Sequence, residues 1–343
     1  MDRSEALALH QRALVIDSHN DSAVALIRRG NLRLDGSQPE HWRQREGAAA
    51  YLRQYQIPLG AEKIQLDLPK MHQGGLDAAF FAVDCTRPWG NHLLYGMDAL
   101  GYLLQEIETF SSEIVLAKTA AEIKAAQQTH KRAAILAVEN SDVLEKSPYV
   151  LPLLYQLGVR SLTLTHSTRS FAADGCAVEN GGGLTGFGIQ LVEQMDDLGV
   201  LVDISHINEQ GFWDVIKHSQ RPLIGTHNCC RALCDHPRNL SDEQLKAIAE
   251  KNGVVGITFV PHFVSEQEPN LEKLLDHIEH AIAVAGIDHV GLGSDFDGGG
   301  NLVQDATVLP EITAGLAARG YEEEALEKFL GLNHLRVFGA VAG

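Results

Sequence analysis

At 343 residues, 45% of them apolar and 21% charged, the chain has an ordinary globular composition and the length to bury a large core. A formal net charge of −17 excludes the basic footprint that a nucleic-acid backbone demands. No run approaches the roughly 18 consecutive apolar residues of a membrane-spanning helix, so no membrane segment is predicted.

The N-terminal stretch MDRSEALALHQRALVID begins with charged residues and reads as an amphipathic helix, not as a signal peptide. The five cysteines, Cys85, Cys176, Cys229, Cys230 and Cys234, are odd in number and fit no disulfide framework. Both features lead us to expect a reducing, cytoplasmic setting.

Eight short apolar runs alternate with amphipathic segments along the chain. They cover residues 13–16, 78–83, 133–138, 160–165, 200–204, 222–226, 253–260 and 289–293. Continuous apolar runs of this length read as parallel strands covered on both faces. Between them lie helical patterns. Ile189, Leu191, Val192, Met195 and Leu198 precede the fifth run, and Leu271, Leu274, Leu275, Ile278 and Ile282 precede the eighth. Ser241-Asp242-Glu243 starts another helix as an N-cap. The pattern predicts an α/β fold, a (β/α)₈ barrel formed by residues 1–343 as one domain. The segment around 30–73 is the longest insertion and is expected to pack helices over the barrel mouth.

Ionisable residues recur where these runs end. His19 and Asp21 follow the first, Glu139 the third, His166 the fourth, His206 the fifth, His227 the sixth and Asp295 the eighth. In a barrel all of these positions converge on the C-terminal mouth. His19-x-Asp21 puts two donors on the same side of an extended backbone. Imidazole and carboxylate together form a zinc ligand set. The spacing gives His19, Asp21 and Glu139 around one ion, with Glu139, His206 and His227 around a second and Glu139 as the bridge. Two ions about 3.5–4 Å apart would share a hydroxide and polarise a scissile carbonyl. Asp295, in GSDFDGGG, is then placed as general base and general acid. Asp297 would point the other way and is not nominated. An HxD pair or a lone histidine recurs by chance, and Glu139 alone would suit a helix N-terminus. The joint placement on one barrel face carries the reading.

These residues lie in stretches that resemble the membrane (renal-type) dipeptidases, peptidase family M19 of the amidohydrolase superfamily. The matching stretches are VIDSHND, AVEN, LYQLGVRSLTLTHS, LTGFGIQLVEQMDDLGVLVDISH, PLIGTHNCCRALCDHPRN, VGLGSDFDG and NHLRVF, in the family's order and across nearly the whole chain. The resemblance implies a zinc-dependent dipeptidase that tolerates a D-residue at the C-terminal position. It assigns His19, Asp21, Glu139, His206 and His227 to two zinc ions. By the same resemblance, His166 matches the histidine that contacts the substrate carbonyl and the reaction intermediate. Arg238 matches the arginine that takes the free carboxylate of the dipeptide, a task suited to a planar guanidinium. Asp295 matches the acid–base aspartate. Dimers are common in that family, so a homodimer is a further expectation.

Three stretches depart from the family pattern. Asn140 stands where a glycine is usual after the bridging glutamate, STRSFAADGC follows His166, and TFVPHF follows the seventh run. These loops shape the side-chain pockets and leave the metal chemistry intact. Arg169 is a candidate for an acidic substrate group or a surface charge. An alternative function is a related binuclear amidohydrolase acting on a non-peptide amide, a lactam or an N-acyl amino acid. More remote readings are a phosphoesterase and a non-catalytic metal-binding protein.

Other motifs receive ordinary readings. Gly181-Gly182-Gly183-Leu184-Thr185-Gly186 lacks the Lys-Ser/Thr of a P-loop and reads as a loop into a helix. Cys229, Cys230 and Cys234 read as packing residues. His277 and His280 are expected on a solvated helix face, and Glu322-Glu323-Glu324 at a helix start.

Overall fold

The structure, a computed structural model, describes residues 1–28, 32–37, 64–86 and 91–343. Its strands are β1 (Ile16–Asn20), β2 (Ala78–Asp84), β3 (Ile114–Leu116), β4 (Arg132–Glu139), β5 (Val159–Thr163), β6 (Leu201–Asp203), β7 (Ile224–Asn228), β8 (Val254–Ile257) and β9 (Val290–Leu292). Pairing runs β2-β1-β9-β8-β7-β6-β5-β4, all of it parallel. β2 also pairs with β4, from Ala78 opposite Ala133 through Asp84 opposite Glu139, and this ladder closes the ring. The result is an eight-stranded parallel barrel with flanking helices, and its strands correspond to the eight apolar runs.

β3 lies outside the ring, beside the start of β4. Three residues carry no readable period, so it escapes a sequence reading. Of the insertion expected around 30–73, residues 29–31 and 38–63 lie outside the described residues. What is described is the turn at 32–37 and the short helix Leu68–Gln73, capped by Asp67.

Alternation along each strand sorts the core into two layers. Ile16, Ala78, Phe80, Ile135, Leu201, Ile224 and Val254 form one buried cluster with Val337, Phe338 and Val341 of the C-terminal helix Asn333–Ala342. Several of these are the first residues of their strands. The C-terminal helix therefore plugs the N-terminal end of the barrel, with Phe338 edge-on to Phe80 at 5.8 Å. The intervening residues, among them Ala79, Phe81, Leu136, Val202, Val255 and Leu292, face the outer helices.

β1 runs four residues past the apolar stretch that predicts it, because the side chains of Asp17, Ser18 and Asn20 are paired inside the barrel. Asp17 accepts from the Ser294 backbone N–H and hydroxyl, both at 2.7 Å. The Ser18 hydroxyl reaches the carbonyls of Thr226 and Leu292. A buried polar group is affordable only on such terms. The register of β1 against β2 shifts between Asp17 and Asn20, at the residues that lead into the mouth.

The helix Asp242–Glu250 begins with a capping box: the Ser241 hydroxyl accepts from Gln244 N–H, and the Gln244 side chain accepts from Ser241 N–H. Thr185 caps the helix Gly186–Leu198, so the glycine run before it is a loop into a helix N-terminus. Among the described residues, no helix is long and apolar enough to cross a membrane.

Candidate metal centre

The strand ends bring the predicted residues together at the C-terminal mouth. Glu139 ends β4 and His227 lies in β7, while His166, His206 and Asp295 each stand three residues beyond β5, β6 and β9. Glu139 Oε1 sits 2.8 Å from His206 Nε2 and 3.7 Å from His227 Nε2. The two Nε2 atoms are 2.8 Å apart. On the other side, His19, Asp21 and Glu139 place their donor atoms within 4.8 Å of one another. His19 Nε2 lies 3.9 Å from both Asp21 Oδ2 and Asp295 Oδ1. Glu139 thus belongs to both halves of the cluster. His166 stacks on His206 at 4.1 Å between ring centroids, and its donor atom groups with those of Glu139 and His206.

Burial sets the electrostatics of the cluster. The Glu139 and Asp21 carboxyls are held well above the usual carboxylate range, first by desolvation and then by each other's neighbours, including Asp84 and Asp295. Asp295 is pushed up to about 7, mainly by desolvation. His206 and His227 are held well below the usual imidazole range and His19 is pushed down to about 4, again chiefly by burial. The imidazoles are therefore neutral with their lone pairs available, the form in which histidine ligates a metal. His19 Nε2 and Asp21 Oδ1 are buried and make no hydrogen bond within the protein. Orphaned donors of this kind, crowded beside acidic groups that repel one another, fit divalent cations; without such partners they would carry a large desolvation cost.

The glycine-rich turn after β9 brings the carboxylates close. A Cβ on Gly298 would collide with Asp21 Oδ2 and Asp295 Oδ1 together, so only glycine leaves room for both. Asp295 itself has φ +59° and His206 φ +68°, left-handed values uncommon for such residues and frequent at functional sites. Asn140 has φ +78°, a region that glycine enters most readily. Its side chain compensates by accepting from Asp142 N–H and donating to the Thr86 hydroxyl. The departure from the usual glycine is therefore accommodated locally, beside Glu139.

Arg238 is buried beneath the mouth. Its Nη1 donates to Asn228 Oδ1 and its Nη2 to the His227 carbonyl, while its buried Nε makes no hydrogen bond within the protein. Its charge also helps hold His206 and His227 neutral. Arg169 is exposed and paired with Asp174. Asp297 accepts from Ser22 and from the N–H groups of Gln65 and Leu66, tying the chain there to the mouth.

A family comparison agrees with this geometry. The family model for membrane dipeptidases, peptidase family M19, matches residues 3–343. The chain belongs to the M19 membrane dipeptidase family. Two of its M19-like relatives are fungal: the dipeptidase verJ of Clonostachys rogersoniana is 35% identical, covering 80% of this chain and 75% of that one. The dipeptidase tcpJ of Claviceps purpurea is 31% identical over 80% and 69%. Among solved structures, the dipeptidase AC, a metallopeptidase of family M19, superposes with a TM-score of 0.83 at 29% identity over 97% of this chain and 99% of that one. A metallopeptidase of Rhodobacter sphaeroides, liganded with a phosphinate mimic of L-Ala-D-Ala, superposes at 0.82 with 27% identity over 96% and 99%. As an M19 member the chain is a metallo-dipeptidase, and the clustered donors above are its candidate metal-binding residues.

Several residues of this M19 site escaped the sequence reading. Asp203 lies inside the barrel beneath the histidines, its donor atom grouped with those of His19 and His227. Asp84, at the end of β2 opposite Glu139, adds a further carboxylate. Ser167 contacts His206 Nδ1 at 3.0 Å. For Asp203 the available signal is a carboxylate three residues before a histidine, in VDISH; Asp84 and Ser167 carry no comparable signal. One expectation was mistaken. His277 is buried, not solvated: its Nδ1 accepts from Cys230 N–H, and its Nε2 meets the Val264 carbonyl. His280 does reach a charged partner, Asp242, at 2.7 Å. The five cysteines are all free.

Proposed function

We propose that the chain is a binuclear zinc dipeptidase that accepts a D-residue at the C-terminal position. The carrying observation is the buried convergence of His19, Asp21, Glu139, His206 and His227 with Glu139 between the two halves. His19 and Asp21 would hold one zinc ion, His206 and His227 the other, and Glu139 both. When bound, the pair supplies a hydroxide nucleophile and polarises the scissile carbonyl.

The protein's own groups do the rest. Arg238 faces the free α-carboxylate of the dipeptide and orients it, since a guanidinium matches a carboxylate in shape and charge. His166, beside Glu139 and His206, offers its ring N–H to the oxygen that gains charge as the carbonyl is attacked. Asp295 takes the proton of the attacking water and passes it to the leaving amine nitrogen as the C–N bond breaks. A carboxyl pushed up to about 7 suits both duties. The bound L-Ala-D-Ala mimic of the Rhodobacter sphaeroides relative supports tolerance of a D-residue.

The test is metal analysis of the purified chain with assays of L-Ala-D-Ala, L-Ala-L-Ala, a lactam and an N-acyl amino acid. We expect two zinc ions per chain and turnover of the D-containing dipeptide, abolished by chelation. Undiminished turnover after thorough chelation overturns the reading. Preference for the lactam or acyl substrate replaces the dipeptide with the alternative amidohydrolase activity.

A further inference from the structure

Asp203 has the burial and the neighbours of a third metal-binding carboxylate, yet its hydrogen bonds forbid that role. It is 1% exposed. Its Oδ1 accepts from the backbone N–H groups of Ser205 and Thr226, each at 3.0 Å. Its Oδ2 accepts from the hydroxyls of Thr163 at 2.6 Å and Thr226 at 2.7 Å. An ionised carboxylate has about four lone-pair sites, and four donors fill them. None is left to point at a cation.

The same bonds settle a proton position further on. Asp203 only accepts, so the single hydroxyl proton of Thr226 is committed to it. Thr226 Oγ1 also lies 2.8 Å from His227 Nδ1. With its own proton spent, the hydroxyl can only accept there, and the ring proton of His227 sits on Nδ1. The lone pair is then on Nε2, the atom 2.8 Å from His206 Nε2 and 3.7 Å from Glu139 Oε1.

We propose that Asp203 is a positioning residue that, through the Thr226 hydroxyl, holds His227 in the tautomer and orientation that ligate metal. This rests on the reading of His227 as a ligand. Such outer partners make a ligand more basic and fix its ring, and losing one typically weakens metal binding about ten- to a hundred-fold. Asp203→Asn is the informative change. The two backbone donors require an acceptor at the Oδ1 position, so the amide nitrogen must replace Oδ2 and face Thr226. It then donates to Thr226 Oγ1, whose proton turns to His227 Nδ1 and forces the ring proton onto Nε2.

The experiment measures zinc affinity by competition with a chelating dye on the full chain, after metal stripping, for wild type, Asp203→Asn, Thr226→Val, Thr226→Ser and His227→Ala. Histidine ¹⁵N spectra, with His227→Ala identifying the signal, report the tautomer. The proposal expects Asp203→Asn and Thr226→Val to bind one of the two ions about ten- to a hundred-fold more weakly. Thr226→Ser, which keeps the hydroxyl, should retain tight binding, and the His227 signal should move from the Nδ1–H to the Nε2–H pattern in Asp203→Asn. If His227→Ala loses an ion but Asp203→Asn and Thr226→Val bind like wild type, the relay is wrong and the ligand assignment stands. If His227→Ala keeps both ions, the ligand assignment fails and the proposal with it. Should Asp203→Asn not fold, the contrast between Thr226→Val and Thr226→Ser decides the matter: equal affinities overturn the proposal.

Discussion

His206 and His227 meet nitrogen to nitrogen, their Nε2 atoms 2.8 Å apart. The Nδ1 of each ring is already engaged, by Ser167 Oγ at 3.0 Å and Thr226 Oγ1 at 2.8 Å. Burial keeps both rings neutral. Two ring nitrogens and the Glu139 carboxyl crowded this closely suit a cation lying among them. Metal removal should therefore cost stability as well as activity. We expect a chelated sample to lose its dipeptidase turnover and to melt lower, and zinc to restore both. A ligand held at a thousand times its Kd stabilises the folded state by about 4 kcal/mol. Thermal unfolding with and without chelator measures this; coincident curves would contradict it.

Gly298 leaves the space in which Asp21 and Asp295 approach one another. Gly298→Ala should push one carboxylate aside while leaving the barrel folded, because the φ of Gly298 lies outside the left-handed range that penalises a side chain. We expect kcat/KM to fall at least about a hundred-fold, on the scale of losing one precisely placed catalytic group. Steady-state kinetics beside circular dichroism separate this from unfolding. Wild-type kinetics would show that the two carboxylates need not be so close.

Arg238 has two tasks in the proposed reading, and they make different predictions. If its planar guanidinium captures the substrate carboxylate, Arg238→Lys, which keeps the charge but loses the two-donor fork, should raise KM for free dipeptides about ten- to a hundred-fold, the worth of a hydrogen bond to a charged group. KM for the amidated dipeptides should hardly change. If its bonds to the His227 carbonyl and Asn228 matter more, both substrate classes suffer equally. A kinetic comparison of the two series distinguishes the roles.

His334 gives the fold a pH dependence remote from the chemistry. It is buried under β9, its Nε2 meeting the Leu292 carbonyl, and burial pushes it down to about 4 from 6.5. Between those values the unfolded chain binds a proton that the folded chain refuses. The associated stability is intact above pH 6.5 and is lost as pH falls toward 4, by about 3 kcal/mol in all. His334→Gln removes this contribution. Urea unfolding at pH 4.5 and pH 7 should show a smaller difference for the variant than for wild type; equal differences would refute it.

Much of the fold is legible in the sequence itself. Runs such as Ala78–Val83 and Ala133–Val138 are apolar on both faces, and a strand covered on both faces can look no other way. Their ends carry His19, Asp21, Glu139, His206, His227 and Asp295, and a closed barrel leaves these ends one place to meet. The Ser241 cap is legible too, because a cap acts within one turn of its helix.

Other features depend on contacts far apart in the sequence. Asp203 looks like one more polar residue in VDISH, and its meaning comes from Thr163 and Thr226 on neighbouring strands. His277 sits in a helical pattern that reads as exposed, yet it is buried against the Cys230 backbone 47 residues away. Asn140 departs from a usual glycine, and only its φ of +78° shows why glycine or asparagine suits that bend. Local periodicity and turn chemistry act over a few residues and so are written along the chain. Hydrogen-bond partners, room for a Cβ and the sign of a burial shift arise only when distant segments share one interior, and the tertiary structure alone decides them.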